Sequence, residues 1–251
     1  MEPATEAMLA MAGIDVGARV LDLACGAGSQ TLLAARRVGP QGHVLAIDIS
    51  EAMLQHMQEN ARAAGLTNIT ARAGAAEDLD VDAGSFDAAI CRIALMLFHD
   101  PAQALRAVRR ALRPRGRVAV VVFTTPAMNP LMAQPMQILL RHAGKSPPAP
   151  GQPGICALGG PGVLAKLLAD TGFVGVEQRP MAVALRMPSA VQALAMIQES
   201  FGAFRAIVGD CPESVRTAAW REVAETLRNF ETAEGFVAPG EVLVAAGVKP
   251  A

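Results

Sequence analysis

Three residues carry the clearest chemical signal in the chain. Gly26 and Gly28 follow an apolar run at Val20, Leu21 and Leu23, and the acid Asp48 comes twenty positions after Gly28. Two glycines after a short strand let the backbone turn sharply and approach a ligand that a Cβ would exclude. A helix opening near Ser29 points unpaired N–H groups at whatever fills the turn, so phosphate is one candidate. A ligand-free strand-to-helix turn would use the same glycines. The pattern G-x-G-x-x-G would place a third glycine at position 31, where the chain has Thr31, and that argues against NAD and FAD. An acid ending the second strand of a nucleotide-binding βαβ unit lies beside the first turn and accepts hydrogen bonds from ribose hydroxyls. The predicted ligand therefore has a free ribose and no pyrophosphate. Asp48 could instead cap the helix that opens at Glu51, but Ser50 fits that position better.

The elements that must position these residues follow from periodicity and punctuation. A short helix is expected over 5–12, a strand over 19–23, and a helix over 29–38 ended by Gly39 and Pro40. A second strand spans 43–49, and a helix spans 51–64 with Gly65 as its left-handed cap. On that helix Met53 reads as core packing beside Met57. Strands follow over 68–74 and 85–92, the latter with the near-continuous apolar run Ala88 to Cys91 of a central parallel strand. Its carboxyl end should border a ligand crevice. Asp100 caps a helix over 101–113 with one buried stripe at Leu105, Val108 and Leu112, and a strand runs over 117–123. A methionine-rich helix over 128–142 contains Pro135, which implies a kink or a break. A proline- and glycine-rich loop over 145–162 reads as extended and mobile, either a linker or a lid. A helix over 163–170, a strand over 173–178, inserted helices over 188–208 and 213–229, and a last strand over 241–248 complete the chain.

Composition excludes several classes. The 251 residues carry a net charge of −1, so no global field draws the chain to nucleic acid or to a membrane. The arginines Arg106, Arg109, Arg110 and Arg113 read as a solvated helix face. The first thirteen residues begin acidic, with no basic region ahead of an apolar stretch, and no apolar run could span a bilayer, so a cytoplasmic protein is expected. Cys25, Cys91, Cys156 and Cys211 are scattered without zinc spacing, which predicts free thiols and no metal.

Five segments together resemble the class I S-adenosylmethionine-dependent methyltransferases: VLDLACGAG at 20–28, AIDIS at 46–50, AGAAEDL at 73–79, SFDAAICR at 85–92 and ALRPRGRVAVVVF at 111–123. The resemblance is greatest to small-molecule enzymes that include the ubiquinone and menaquinone biosynthesis C-methyltransferases. It implies an α/β fold: a Rossmann-like, doubly wound, seven-stranded and mostly parallel sheet with helices on both faces. Residues 1–125 would form the cofactor-binding core, and 126–251 the rest of the same domain with an inserted helical acceptor-binding cap or lid. The implied cofactor is S-adenosylmethionine, with S-adenosylhomocysteine as product. In that likeness Gly26 and Gly28 make room for its methionine and ribose, Asp22 and Ala24 border its amino-acid end, and Asp48, Ile49 and Met53 lie along the ribose and adenine. The family's acid after the glycine of the third segment is Ala75 here. The Ala76 N–H and the Glu77 side chain, or ordered water, are the nearest substitutes for holding adenine, and Glu77 as a solvated loop acid is an equal alternative. Cys91 and Arg92 would line the methionine half, with Arg92 pairing its carboxylate or forming an unrelated ion pair. Met96 and Phe98 could form an acceptor wall. His99 is the candidate general base, although related enzymes place a histidine one or two positions earlier, at Leu97 or Phe98, and a helix-entry surface histidine is the competing reading. Arg115, where the family prefers glycine, would be strained if its φ is positive. The implied function is methyl transfer to a small, largely apolar metabolite by a monomer or homodimer. The alternative is a non-methylating cyclase, isomerase or binding protein on the same fold.

Overall fold

A parallel strand paired on both edges and covered on both faces has no place for exposed polar surface. Val20 and Leu21 are completely buried in such a strand, β1 (Arg19–Leu23), which pairs in parallel with β2 (His43–Asp48) and β4 (Phe86–Arg92). The computed structural model describes residues 1–149 and 151–251. Before and after β1 lie α1 (Glu2–Met11) and α2 (Ser29–Val38), and α3 (Glu51–Ala63) joins β2 to β3 (Ile69–Ala73). After β4 come α4 (Pro101–Ala111), β5 (Leu112–Phe123), α5 (Pro130–His142), α6 (Val163–Asp170) and β6 (Val174–Met187). The chain closes with α7 (Ala190–Ser200), α8 (Gly202–Val208), α9 (Glu213–Leu227), β7 (Glu231–Thr232) and β8 (Gly235–Val248).

The sheet order is β3-β2-β1-β4-β5-β8-β6, with the two-residue β7 paired only to β8. The pairs from β3 to β5 are parallel, and β8 runs antiparallel to β5. This is the expected doubly wound, mostly parallel α/β sheet of seven strands, to which β7 adds a short ribbon. The strand order reverses direction at β1, between β2 and β4, and that reversal opens a crevice beyond the carboxyl ends of these strands.

The chain forms two compact units. One comprises residues 2–123, 153–181 and 242–251; the other comprises residue 1, 124–152 and 182–241. The first holds β1 to β5 with α1 to α4 and α6, and its core includes Met8, Ile90, Leu105 and Val120. The second contains α5, α7, α8 and α9, with Leu131, Leu139, Ala193, Phe204 and Val223 buried, and His142 Nε2 lies 2.8 Å from Glu222 Oε2 between α5 and α9.

Several boundaries differ from expectation for nonlocal reasons. The 188–208 helix is two helices, broken at Phe201, whose φ and ψ of −114° and 82° are non-helical. Pro135 does not break α5, which runs on from 130 to 142 around it; the proline forgoes one backbone bond, and its own ring is buried. Strand β5 begins at Leu112, five residues early, with a register shift against Phe86 and Ala88 and with Arg115 at φ +64°. Within the loop expected over 145–162, Pro150 lies outside the described residues. The later part is a packed turn where an extended segment was expected. Gly154 N donates to Met96 O at 3.0 Å, and Ile155 and Leu158 are buried.

Candidate active site

The turn after β1 holds three positive-φ residues in five positions: Ala24 at +52°, Gly26 at +55° and Gly28 at +87°. The two glycines serve different ends. A Cβ on Gly28 would lie 2.2 Å from Met57 Cγ and 3.1 Å from Leu32 Cδ1, so this glycine is required by the packing of α3 against the turn. Packing against Met57 is thus a second reason for glycine at position 28, beside the close backbone approach expected there. A Cβ on Gly26 would meet nothing within 4 Å, and its constraint is the left-handed backbone alone. Asp48 clips the turn to β2: its Oδ2 accepts from Gly26 N at 2.8 Å, and its Oδ1 accepts from Ser50 N at 2.9 Å. A carboxylate oxygen has a second acceptor site after one such bond.

Beyond the carboxyl ends of β1 to β4 lies a cavity of about 620 Å³. Its lining includes the small residues Ala24, Gly74, Ala75, Ala76 and Ala94 and the larger apolar residues Ile49, Leu97 and Phe98. The remaining lining is Asp48, Glu77, Asp78, His99, Asp100 and Gln103. Four of the lining residues are acidic and none is lysine or arginine, while Asp100 Oδ2 lies 3.8 Å from Arg106 Nη2 behind the lining, so the net bias favours a cation over phosphate. Ala24 and Ile93, the latter at φ +56°, are non-glycine residues in the left-handed region just past β1 and β4. Strain of about 1–2 kcal/mol at each persists only where the surroundings impose it, a pattern that clusters at ligand sites.

Six of the candidate cofactor-binding and catalytic residues line this cavity, Ala24, Asp48, Ile49, Ala76, Glu77 and His99, together with Ala75 and with Phe98 of the expected acceptor wall. Ala76 is buried, Ile49 is 79% exposed, and the imidazole of His99 is exposed. Met53 is 39% exposed and Met57 completely buried, so the core role expected of Met53 belongs to Met57 alone. Met96 is likewise buried, and the apolar wall is made by Leu97 and Phe98. The cause is the single 3-10 turn over Leu95–Leu97, which turns Met96 inward. Gln103, Asp78 and Ala94 escaped notice in the sequence. Only Gln103 had a signal there, as the fourth residue of an Asp-x-x-Gln helix start.

Asp22, Cys91 and Arg92 lie beneath the turn and do not line the cavity. Thr31 Oγ1 donates to Asp22 Oδ2 at 2.5 Å, and Gln30 Nε2 donates to Asp22 Oδ1 at 3.2 Å. The hydroxyl at position 31 thus replaces the third glycine of dinucleotide folds with a strut for a buried acid. Burial raises the Asp22 carboxyl to about 7, against the opposing pull of Thr31, Gln30 and Arg92. Arg92 Nη1 donates to Thr5 Oγ1 at 2.9 Å and its Nη2 to Ser29 Oγ, which links α1 to the start of α2. Burial pushes the Arg92 guanidinium down, while Asp22 opposes that shift. Burial also pushes the thiols of Cys25 and Cys91 up, away from the reactive thiolate. Among the described residues no group of three or more side chains could hold a metal, and no helix is long and apolar enough to cross a membrane.

A family model described as a methyltransferase domain matches residues 14–140, the stretch that contains the turn, Asp48 and the whole cavity lining. The chain belongs to the class I S-adenosylmethionine-dependent methyltransferases. Among relatives in this family, the nocamycin O-methyltransferase of Saccharothrix syringae is 35% identical over 184 residues, covering 69% of this chain and 65% of that one. The ubiquinone/menaquinone biosynthesis C-methyltransferase UbiE of Pasteurella multocida is 38% identical over 120 residues, covering 47% of this chain and 45% of that one. The chain thus spans less than two thirds of the length of either methyltransferase. The YcgJ protein of Bacillus subtilis has the same fold, with a TM-score of 0.65 at 18% identity over the full length of both chains.

Proposed function

We propose that the protein transfers a methyl group from S-adenosylmethionine to a small, largely apolar metabolite in the cytoplasm, acting as a monomer or homodimer. The observation that carries this reading is the cavity itself: four carboxylates and no basic side chain besides His99, at the strand ends beside Asp48. Such a lining suits a cationic nucleoside and disfavours a nucleotide bearing phosphates. When bound, the donor supplies a sulfonium whose positive charge makes its methyl group electrophilic. Asp48 has acceptor capacity for ribose hydroxyls, and Ala76 and Glu77 border the space for the base. Ala24 and the Gly26 turn border the remainder, with the Asp22–Thr31–Arg92 network holding that turn from below. The protein's own contribution is alignment and exclusion of water, which requires no covalent group. His99 would take a proton from the acceptor, a role supported by its exposed imidazole among the cavity's lining residues.

The apolar lining residues Ile49, Leu97 and Phe98 support a largely apolar acceptor, and the relatives' names, an O- and a C-methyltransferase, support a small molecule. The near-neutral net charge supports a substrate other than nucleic acid. Calorimetry with S-adenosylhomocysteine tests the donor: micromolar binding is expected, and no binding at millimolar ligand would remove it. Metabolite extracts incubated with isotopically labelled donor test the transfer, through a product heavier by one methyl group formed in step with S-adenosylhomocysteine. Donor binding without any labelled product would leave a binding or non-methylating protein in its place.

A further inference from the structure

The cavity has two walls from separate parts of the chain, and one pair of residues ties them together. Residues 74–78 form the segment after β3, and residues 94–103 run from the end of β4 into the first turn of α4. Glu77 Oε1 accepts from His99 N at 3.0 Å, and Glu77 O accepts from Gln103 Nε2 at 3.1 Å. Both bonds cross the same gap, and Glu77 is the acceptor in each. Gln103 is fixed from its other side as well, because its own N–H donates to Asp100 Oδ1 at 2.8 Å.

The start of α4 makes this arrangement unusual. In an Asp-x-x-Gln start the glutamine side chain commonly reaches back to the N–H of the cap residue. Here it reaches across to the other wall, and the N–H just before the cap goes to the Glu77 carboxylate. A negative group at that end also suits the positive pole of the helix. The 74–78 segment has few other anchors: Gly74 N donates to Asp48 O at 3.0 Å, and Asp78 N to Ala75 O at 3.3 Å. Only the first of these reaches outside the segment.

We propose that Glu77 and Gln103 are positioning residues that fix the spacing between the two walls, so that Ala76 and the rest of the 74–78 segment are already placed for the nucleoside end of the donor, with Leu97 to His99 kept at a set distance on the acceptor side. The proposal rests on the donor reading above. A wall ordered before binding need not be ordered by the ligand, and the affinity gains by that difference. It gives Glu77 a role as a tie, distinct from a solvated loop acid and from a direct partner of the base.

The test uses the full-length protein with S-adenosylhomocysteine in calorimetry and His99 amide exchange by NMR. Glu77→Ala and Gln103→Leu should each weaken binding about tenfold, the range expected for losing one such bond. Glu77→Gln keeps the side-chain oxygen and should stay within about threefold of the wild type. With an acceptor in hand, the loss in Glu77→Ala should appear in the donor KM, with kcat nearly unchanged. In the ligand-free protein, His99 amide exchange should rise about tenfold in Glu77→Ala and be restored in Glu77→Gln. Binding by Glu77→Gln as weak as that of Glu77→Ala would overturn the proposal, since charge on the ligand would then be the cause. Wild-type affinity in both Glu77→Ala and Gln103→Leu would overturn it too. A wild type that ignores S-adenosylhomocysteine would refute the donor reading, and unchanged His99 exchange in Glu77→Ala would refute the tie itself.

Discussion

Asp22 is completely buried, and the donors around it, Thr31 and Gln30, offset only part of the cost of its charge. Its carboxyl titrates near 7 in the folded protein against 3.8 when unperturbed. The sign follows: as pH rises the unfolded chain releases this proton first, so the folded state binds more protons between the two values and loses stability there. Below about pH 4 the penalty is absent, and above about pH 7 it is complete. Between about pH 5 and pH 8 the loss from this one group is on the order of 2–3 kcal/mol. Urea unfolding of the wild type and of Asp22→Asn at those two pH values measures it, and the variant should lack this part of the slope. A variant with the wild-type slope would show that Asp22 is ionised throughout. Gly28 makes a second prediction at the same scale. Its φ of +87° and the 2.2 Å approach to Met57 Cγ act together, so Gly28→Ala should cost about 2–4 kcal/mol in thermal unfolding. Met57→Ala in the same chain removes the clash and not the backbone strain. The double variant should therefore fall no further than the two single losses added, and should recover part of the Gly28→Ala deficit relative to that sum.

What was legible at the scale of elements is what local sequence controls. Strand β1 and helices α2 and α6 have the expected limits, and Ser50 and Asp100 cap α3 and α4 by accepting from Met53 N and Gln103 N. The Gly26 turn and Asp48 were legible for the same reason, since a strand, a turn and an acid at fixed spacing are local facts joined by one parallel pairing. What was hidden depends on partners distant in sequence. Met57 as the neighbour that excludes a side chain from Gly28 is 29 positions away, and the Glu77 to Gln103 tie spans 26. Strands β6 and β8 extend to 14 residues each, well beyond the segments expected for them, because pairing and not propensity sets their length. The β5 start shows both cases at once. Its bulge was not legible, yet the strain at Arg115 was, and φ there is +64° with Arg115 N donating to Lys249 O at 3.0 Å. Arg115→Gly keeps that N–H and relieves the left-handed strain, so it should stabilise the protein by about 1 kcal/mol. A higher urea midpoint with an unchanged m-value is the expected result, and a lower midpoint would mean that the arginine side chain contributes more than its backbone costs.

Across the whole molecule the charges nearly cancel, to a net of −1, while the cavity lining has four carboxylates and one histidine. Every lining residue belongs to the unit made of 2–123, 153–181 and 242–251, so this imbalance is local to one unit and owes nothing to a global field. A local field of this kind distinguishes the donor from its product, because S-adenosylmethionine carries a sulfonium charge and S-adenosylhomocysteine does not. Salt screens charge–charge attraction where the groups are open to solvent, with a Debye length of about 10 Å at 0.1 M and about 3 Å at 1 M. Raising salt across that range should therefore weaken S-adenosylmethionine binding by about three- to tenfold and leave S-adenosylhomocysteine within about twofold, as read by calorimetry on both ligands. Neutralising a carboxylate that makes no bond in the wall tie, in Asp78→Asn, should reduce the salt dependence for the donor while changing the product's affinity little. Equal salt dependence for the two ligands would mean that the carboxylates act through hydrogen bonds to groups the ligands share, and that the sulfonium charge is felt by the backbone of the turn and not by the acidic lining.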